Sequence, residues 1–194
     1  DLHSFPTRRS SDLYSSDLIF PGQVLSLPWA SEAPADPPPS DPVDPAPADP
    51  EGSPTASVVA PLDGIGPSSN TYGNPGSSYT LGYHTGQDFP APEGTPVHSV
   101  SAGEVVASDT SSAYGINVQI KHADGTYALY AHLSVSSVNP GDSVTAGQVI
   151  GEVGNTGTNS TGAHLHLEIR TAPQFAAGNF LDPIAWLAGK GVTF

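Results

Sequence analysis

At 194 residues the chain can hold one sizeable core, or one domain with a tail. Its formal net charge of −14, from 19 acidic against 5 basic residues, leaves no electrostatic footprint for nucleic acid or an anionic lipid surface. The absence of cysteine excludes disulfides and thiolate metal sites, and no run of about 18 apolar residues offers a membrane span.

The opening stretch, DLHSFPTRRSSDL, matches residue for residue one reading frame of a widely used sequencing-library adapter, and SSDL recurs at 15–18. Residues 1–17 are therefore expected to be an artefact without a fold, and His3, Arg8 and Arg9 carry no functional weight. With no methionine to initiate it, the chain reads as a fragment or a processed product. Residues 18–28, LIFPGQVLSLP, place Ile19, Pro21, Gly22, Gln23, Leu25 and Pro28 in an Ile-x-Pro-Gly-Gln-x-Leu-x-x-Pro pattern. That pattern resembles the last strand of a LysM domain, a module that binds the N-acetylglucosamine of cell-wall glycan; the plainer alternative is a short strand after a Pro-Gly turn. Residues 29–56 carry nine prolines from Pro34 to Pro54 with six acidic residues interleaved. Proline favours extended backbone and like charges repel, so this segment is expected to be a stiff, disordered spacer.

From residue 57 to 194 the composition changes to glycine-punctuated, β-branched segments. The runs PVHSV, GEVVAS, INVQIKH, TYALYAHL, SVTAGQVIGEVG and HLHLEIR read as short strands. Asp124-Gly125 between two of them is a hairpin signal, because a tight turn needs positive φ. Only DPIAWLAG near the end looks helical, with Pro183 in its first turn and Gly189 as a stop. The expectation is a single all-β domain, sandwich or barrel, with a short C-terminal helix.

Three stretches of this region carry the candidate histidines. In HLHLEIR, strand alternation puts His164, His166 and Glu168 on one face and Leu165, Leu167 and Ile169 on the other. The two imidazoles then lie about 6.6 Å apart along the strand, near enough for one site. In GYHTGQDFPAPEGTPV, His84 and Asp88 would be roughly 13 Å apart on a straight strand, but Gly86 offers a bulge that folds them together. Nitrogen and carboxylate donors suit Zn²⁺, and three protein ligands leave a fourth position open. In LYAHLS, alternation puts Tyr130, His132 and Ser134 on one face and Leu129, Ala131 and Leu133 on the other. His132 is then a candidate catalytic or supporting group.

His-x-Gly-x-Asp, Tyr-x-His-Leu and Gly-x-His-Leu-His-x-Glu, in this order, resemble the LytM/lysostaphin-like zinc metalloendopeptidases that cut peptidoglycan cross-links. The intervening text, from PAPEGTPV through VNPGDSVTAGQVIGEVGNTGTNSTGAHLHLEI to LDP, fits as well, and the resemblance covers about residues 57–194. Ala163 stands where proline is usual and Leu167 where phenylalanine is usual; neither is a polar site group. The resemblance implies a barrel-sandwich hybrid fold and one Zn²⁺ per chain held by His84, Asp88 and His166. It also implies His132 and His164 as the catalytic pair assisting a metal-activated water. Alternation alone does not divide the two histidines of His-x-His between these roles.

The family pattern further implies an exported, monomeric enzyme of the bacterial cell wall, acting on peptide stems and cross-bridges. A LysM module, largely missing from this chain, would hold the glycan, and an export signal would lie before the start. Glu168 is expected to be a solvated or orienting carboxylate rather than the base, because no His-Glu-x-x-His helix is present. His98 and His122 are expected to be structural, and Tyr83 and Tyr130 to line the cleft. Two other classes compete. An activator module of the same fold would lack metal ligands, whereas all five polar positions stand here. A biotinyl or lipoyl carrier, suggested by GDSVTAGQVIGEVG, needs a lysine at a hairpin tip, and the chain has only Lys121 and Lys190. Residues 68–79, SSNTYGNPGSSY, carry no readable specificity code.

Overall fold

The computed structural model describes residues 57–111 and 113–194. The adapter-like stretch, the LysM-like strand and the whole of the Pro-rich segment therefore lie outside the described residues. Among the described residues nine strands form one antiparallel network: β1 (Gln87–Pro90), β2 (Pro96–His98), β3 (Gly103–Ser111), β4 (Gly115–His122), β5 (Tyr127–Ser136), β6 (Ser143–Val144), β7 (Val149–Val153), β8 (His164–Arg170) and β9 (Phe180–Leu181). The main order is β1-β8-β5-β4-β3-β6, with β7 paired to both β2 and β5, and β9 paired to β8. One helix, α1 (Pro183–Ala188), closes the domain. This is the all-β architecture with a C-terminal helix that the strand-like runs predict.

Local chemistry explains the boundaries. The β4–β5 hairpin turns at Gly125, whose φ of 85° is free to glycine alone, while Asp124 Oδ1 accepts the backbone N–H of Thr126 at 3.0 Å. The helix starts because Asp182 caps it, accepting from the N–H groups of Ile184 and Ala185, with Pro183 in the first turn. Strand β1 has no counterpart among the predicted runs, since Pro90 within it and Pro92 beyond argue against a strand. It is tolerated because β1 is an edge strand, hydrogen-bonded only to β8.

Alternation in β8 is as expected: Leu165, Leu167 and Ile169 are fully buried in a core shared with Val118, Ile120 and Phe89. On β5 it is not. Val118 pairs with Tyr130 and Ile116 with Leu133, so one residue of β4 opposes two of β5, a bulge at Ala131 and His132. Tyr130 and Leu133 therefore both enter the core. Leu129 and Ala131, paired across from Glu168 and His166, share the opposite face. Tyr130 consequently does not line the cleft: it is fully buried, and its hydroxyl accepts the Val100 N–H at 2.8 Å. Simple alternation failed here because it cannot register the extra residue.

Candidate metal centre

The site forms where β1, β5 and β8 run side by side. Register pairs Asp88 with His166 and Ala131 with His166, so both neighbours of β8 deliver their chemistry to the same rung. His84 enters from just before β1. Its N–H donates to the Asn74 carbonyl at 2.8 Å and its carbonyl accepts the Gly73 N–H at 2.9 Å. Gly86 allows the chain to pass over the His166 ring: a Cβ there would meet the Leu167 carbonyl oxygen and come within 2.7 Å of His166 Cε1. The kink expected at Gly86 thus answers to crowding.

Three donors converge at this rung. His84 Nε2 lies 3.2 Å from Asp88 Oδ1, His166 Nδ1 lies 2.9 Å from the same oxygen, and the two ring nitrogens are 3.1 Å apart. All fall within 4.8 Å of one another, with both histidines buried and Asp88 partly so. His164 Nε2 stands 3.7 Å from Asp88 Oδ1. His132 packs against both partners, its ring centroid 4.8 Å from that of His164 and 5.8 Å from that of His166. His132 achieves this through a left-handed backbone, φ 64°, found at no other non-glycine among the described residues. Without it, alternation would send the side chain toward the core after Tyr130; the positive φ turns it to the site.

Hydrogen bonds fix which nitrogen each ring presents. His84 Nδ1 faces the Thr71 carbonyl at 3.2 Å, His132 Nδ1 the Thr156 carbonyl at 2.8 Å, and His164 Nδ1 the Gly162 carbonyl at 2.7 Å. A carbonyl only accepts, so each Nδ1 carries the proton and each Nε2 offers a lone pair inward. Behind the cluster Glu168 is fully buried, which rules out the solvated one of the two roles expected of it. It is held between His166, Thr85, Tyr114 and Arg170.

Burial disfavours an ionised Asp88, but the hydrogen bonds from His166 and His84 outweigh it and hold the carboxyl well below its usual range. Burial likewise opposes charge on His166, yet Asp88 and Glu168 raise its pKa to about 9. For His132 burial dominates, with the neighbouring His166 and His164 adding to it, and its pKa falls to about 4. Glu168 is held at about 2: burial works against ionisation, and hydrogen bonding to His166 with the charge of Arg170 prevails. The donor set, two imidazoles and a carboxylate with lone pairs converging, fits Zn²⁺.

The cluster floors a cavity of about 560 Å³, walled by Tyr79, Tyr83, Tyr114, Thr158, Asn159 and Phe175 among others. Tyr83 lines it as expected. His98 and His122 lie elsewhere: His98 Nδ1 bonds the Gly147 carbonyl, and His122 Nδ1 bonds the Ala102 carbonyl. The segment without a readable code supports the site directly. Asn70 Nδ2 donates to Asp88 Oδ2 at 2.6 Å, which turns Oδ1 toward the imidazoles, and the Tyr79 ring lies 5.1 Å from that of His84. Only the polar, turn-forming composition of residues 68–79 hinted at such a role.

The model of peptidase family M23 matches residues 82–183, more than half of the chain and a span that holds every residue of the cluster. The chain belongs to peptidase family M23. Within the family it is 48% identical over 92 residues to the DD-carboxypeptidase/endopeptidase Mpg of Neisseria meningitidis serogroup B, covering 47% of this chain and 21% of that protein. The chain thus spans about a fifth of the length of that curated relative. Among solved structures it resembles the catalytic domain of the antimicrobial peptidase lysostaphin from Staphylococcus simulans. The TM-score is 0.59 at 34% identity, over 64% of this chain and 92% of that one. It also resembles a zinc-containing peptidase from Vibrio cholerae, with a TM-score of 0.53 at 30% identity, over 63% of this chain and 37% of the other. The M23 membership agrees with the resemblance carried by the histidine motifs.

Proposed function

We propose that this chain is a zinc-dependent endopeptidase that hydrolyses peptide cross-links of bacterial peptidoglycan, with His84, Asp88 and His166 holding the metal and His132 and His164 serving catalysis. The observation that supports this reading best is the convergence of five groups on one cavity floor, three of them within 4.8 Å of one another. The names of M23 relatives, a DD-carboxypeptidase/endopeptidase and lysostaphin, favour a cell-wall peptide as substrate. When bound, zinc supplies Lewis acidity that polarises a scissile carbonyl and lets water lose its proton near neutral pH.

The remaining work falls to this chain's side chains. His132 is neutral at pH 7, and its Nε2 accepts a proton because Nδ1–H is committed to Thr156. His164, tautomerised the same way by Gly162, stands across the site with its ring beside that of His132. One ring receives the proton of the attacking water and returns it to the leaving amine, and the other positions that water by accepting a hydrogen bond from it. Asn70 keeps Asp88 turned, and the tyrosine-lined wall provides apolar faces for a peptide.

The chain is proposed to act outside the cell at the wall. The segment 29–56 would then tether it to a glycan-binding LysM module, raising its effective concentration near cross-links. The test is metal content and release of cross-linked peptides from purified wall, for wild type, His84→Ala and His132→Ala. One zinc per chain with cleavage is expected. His84→Ala should lose metal, and His132→Ala should keep metal and lose turnover. A folded wild type that binds no zinc and cuts nothing refutes the reading.

A further inference from the structure

We infer that a second, smaller cavity beside the metal centre is a subsite for a primary ammonium group of the peptide substrate. This rests on the cell-wall endopeptidase reading and names a part of the substrate that it leaves open. The cavity, about 150 Å³, lies on the sheet face turned away from the core. Register puts Ala107, Gln119 and Leu129 of its floor on one rung, which continues to Glu168 of β8. Asp109 and Asn117 pair on the rung beside it. Two strand spacings separate β4 from β8, so Asn117 and Gln119 stand about 10 Å to the side of the strand that carries His164 and His166. Tyr114 and Phe175 wall both cavities. A peptide held at the metal therefore reaches the smaller cavity across these two rings, within about three extended residues.

The lining offers acceptors. Asn117 and Gln119 are each only 7% exposed. Asn117 Nδ2 donates to the carbonyls of Asp109 at 3.2 Å and Gly115 at 2.9 Å, which engages both of its hydrogens. Gln119 Nε2 donates to the Pro173 carbonyl at 3.1 Å. Asn117 Oδ1 and Gln119 Oε1 have no protein donor among the described residues, yet neither is sealed off as Gln87 Oε1 and His122 Nε2 are. Both oxygens thus open onto the cavity their residues line. Asp109 adds a carboxylate at the exposed rim, where Oδ1 accepts the Thr110 N–H at 2.6 Å. Arg170, the cation in the lining, is already engaged: Nε donates to the buried Glu168 at 2.6 Å and Nη1 to the Pro173 carbonyl at 3.2 Å. Lys121, further along β4, stands across from Glu104, and Lys190 pairs with Asp124 at 2.9 Å. Two amide oxygens and a carboxylate call for a guest that donates and carries positive charge; an ammonium has three donors and no acceptor. The Tyr114 and Phe175 rings on the way in also attract a cation. An anion would meet Asp109, and an apolar group would leave two amide oxygens without hydrogen bonds.

The test uses the full chain and has two arms. In the first, the side-chain amide ¹H–¹⁵N signals of Asn117 and Gln119 are followed while peptides are titrated in: acetyl-Gly-Gly-Lys-amide, its Nε-acetyl derivative, and Gly-Gly-Gly-amide with a free amino terminus. Saturable shifts with an amine-bearing peptide and none with the Nε-acetyl derivative are expected. Whether the lysine peptide or the free amino terminus moves them tells a side-chain amine from a terminal one, and either supports the subsite. In the second arm, cleavage of soluble cross-linked wall peptides is compared before and after acetylation of their amino groups, for wild type and Asp109→Lys. Wild type should favour the free amine by about tenfold in kcat/KM, and Asp109→Lys should bring that ratio to about one. Shifts as large with the Nε-acetyl derivative, shifts with no peptide, or a preference unchanged in Asp109→Lys overturn the inference and leave the endopeptidase reading standing. A wild type that shifts with amines but cuts no wall peptide overturns the endopeptidase reading, and the substrate role of the subsite with it.

Discussion

Replacing Tyr130 by phenylalanine separates the structure from simple alternation, because the two place this side chain on opposite faces. The structure buries the ring fully, directly across from Leu167, with the hydroxyl 2.8 Å from the Val100 nitrogen. Phenylalanine keeps the ring and its packing, so the perturbation is one lost acceptor. Val100 is itself fully buried, and water cannot take over its N–H. Leaving a buried donor unsatisfied costs about 1–3 kcal/mol. For a domain of this size, at about 4 °C per kcal/mol, the Tm should fall by roughly 4–12 °C. Thermal unfolding by circular dichroism measures this, alongside wall hydrolysis at a temperature well below the transition, which should be close to wild type. An unchanged Tm with hydrolysis reduced about tenfold, equivalent to about 1.4 kcal/mol of transition-state stabilisation, would put Tyr130 in the cleft and refute the reasoning.

Three further outcomes are expected. His132→Gly should be more stable than His132→Ala by about 1 kcal/mol in urea unfolding, since both remove the ring and only glycine adopts a φ of 64° freely; equal stabilities would refute the strained backbone. Gly86→Ala should destabilise by about 1–3 kcal/mol and reduce bound zinc, because its Cβ meets the Leu167 carbonyl and the His166 ring; metal analysis and urea unfolding check both. His122 should make the fold acid-sensitive. Burial lowers its pKa below the ordinary 6.5, opposed by its bond to the Ala102 carbonyl and by Asp124, and reinforced by Lys190. The unfolded chain therefore binds the extra proton first, so the His122 contribution is complete above about pH 6.5 and is lost as pH falls through the folded value. His122→Asn, which cannot titrate, should flatten the slope of stability against pH below 6.5 by up to about 1.4 kcal/mol per pH unit. An unaltered slope refutes the assignment.

The parts of the site legible in the sequence are those governed by period and spacing. His164 and His166 stand on β8 where alternation keeps Leu165, Leu167 and Ile169 in the core, so their shared face was readable. His84 and Asp88 could be joined only by supposing a bend at Gly86, and that bend exists. What could not be read depends on partners distant in sequence. Asn70 reaches Asp88 across 18 positions, Tyr114 reaches Glu168 across 54, and neither distance leaves a periodic trace. The burial of Glu168 was missed for the same reason: Thr85 and Tyr114, 83 and 54 positions away, close over it beside its strand neighbour Arg170.

His132 shows how a misread strand can still carry its histidine to the cluster. Alternation grouped it with Tyr130, and the two in fact lie on different faces, separated by a bulge that needs a left-handed residue. No glycine or asparagine marks the place, so the usual signal for positive φ is absent. The conformation is held by tertiary bonds: the His132 N–H donates to the Tyr114 carbonyl at 2.8 Å, and its Nδ1–H to Thr156, whose hydroxyl in turn donates to the Leu133 carbonyl at 2.7 Å. A histidine on the regular ladder, like His166, has its position set by strand register. A histidine on a bulge has its position set by the loops that clamp it. Loss of the Thr156 hydroxyl should therefore disturb His132 while leaving the triad of His84, Asp88 and His166 in register, so the proposed catalytic and metal-holding functions are separable in this fold.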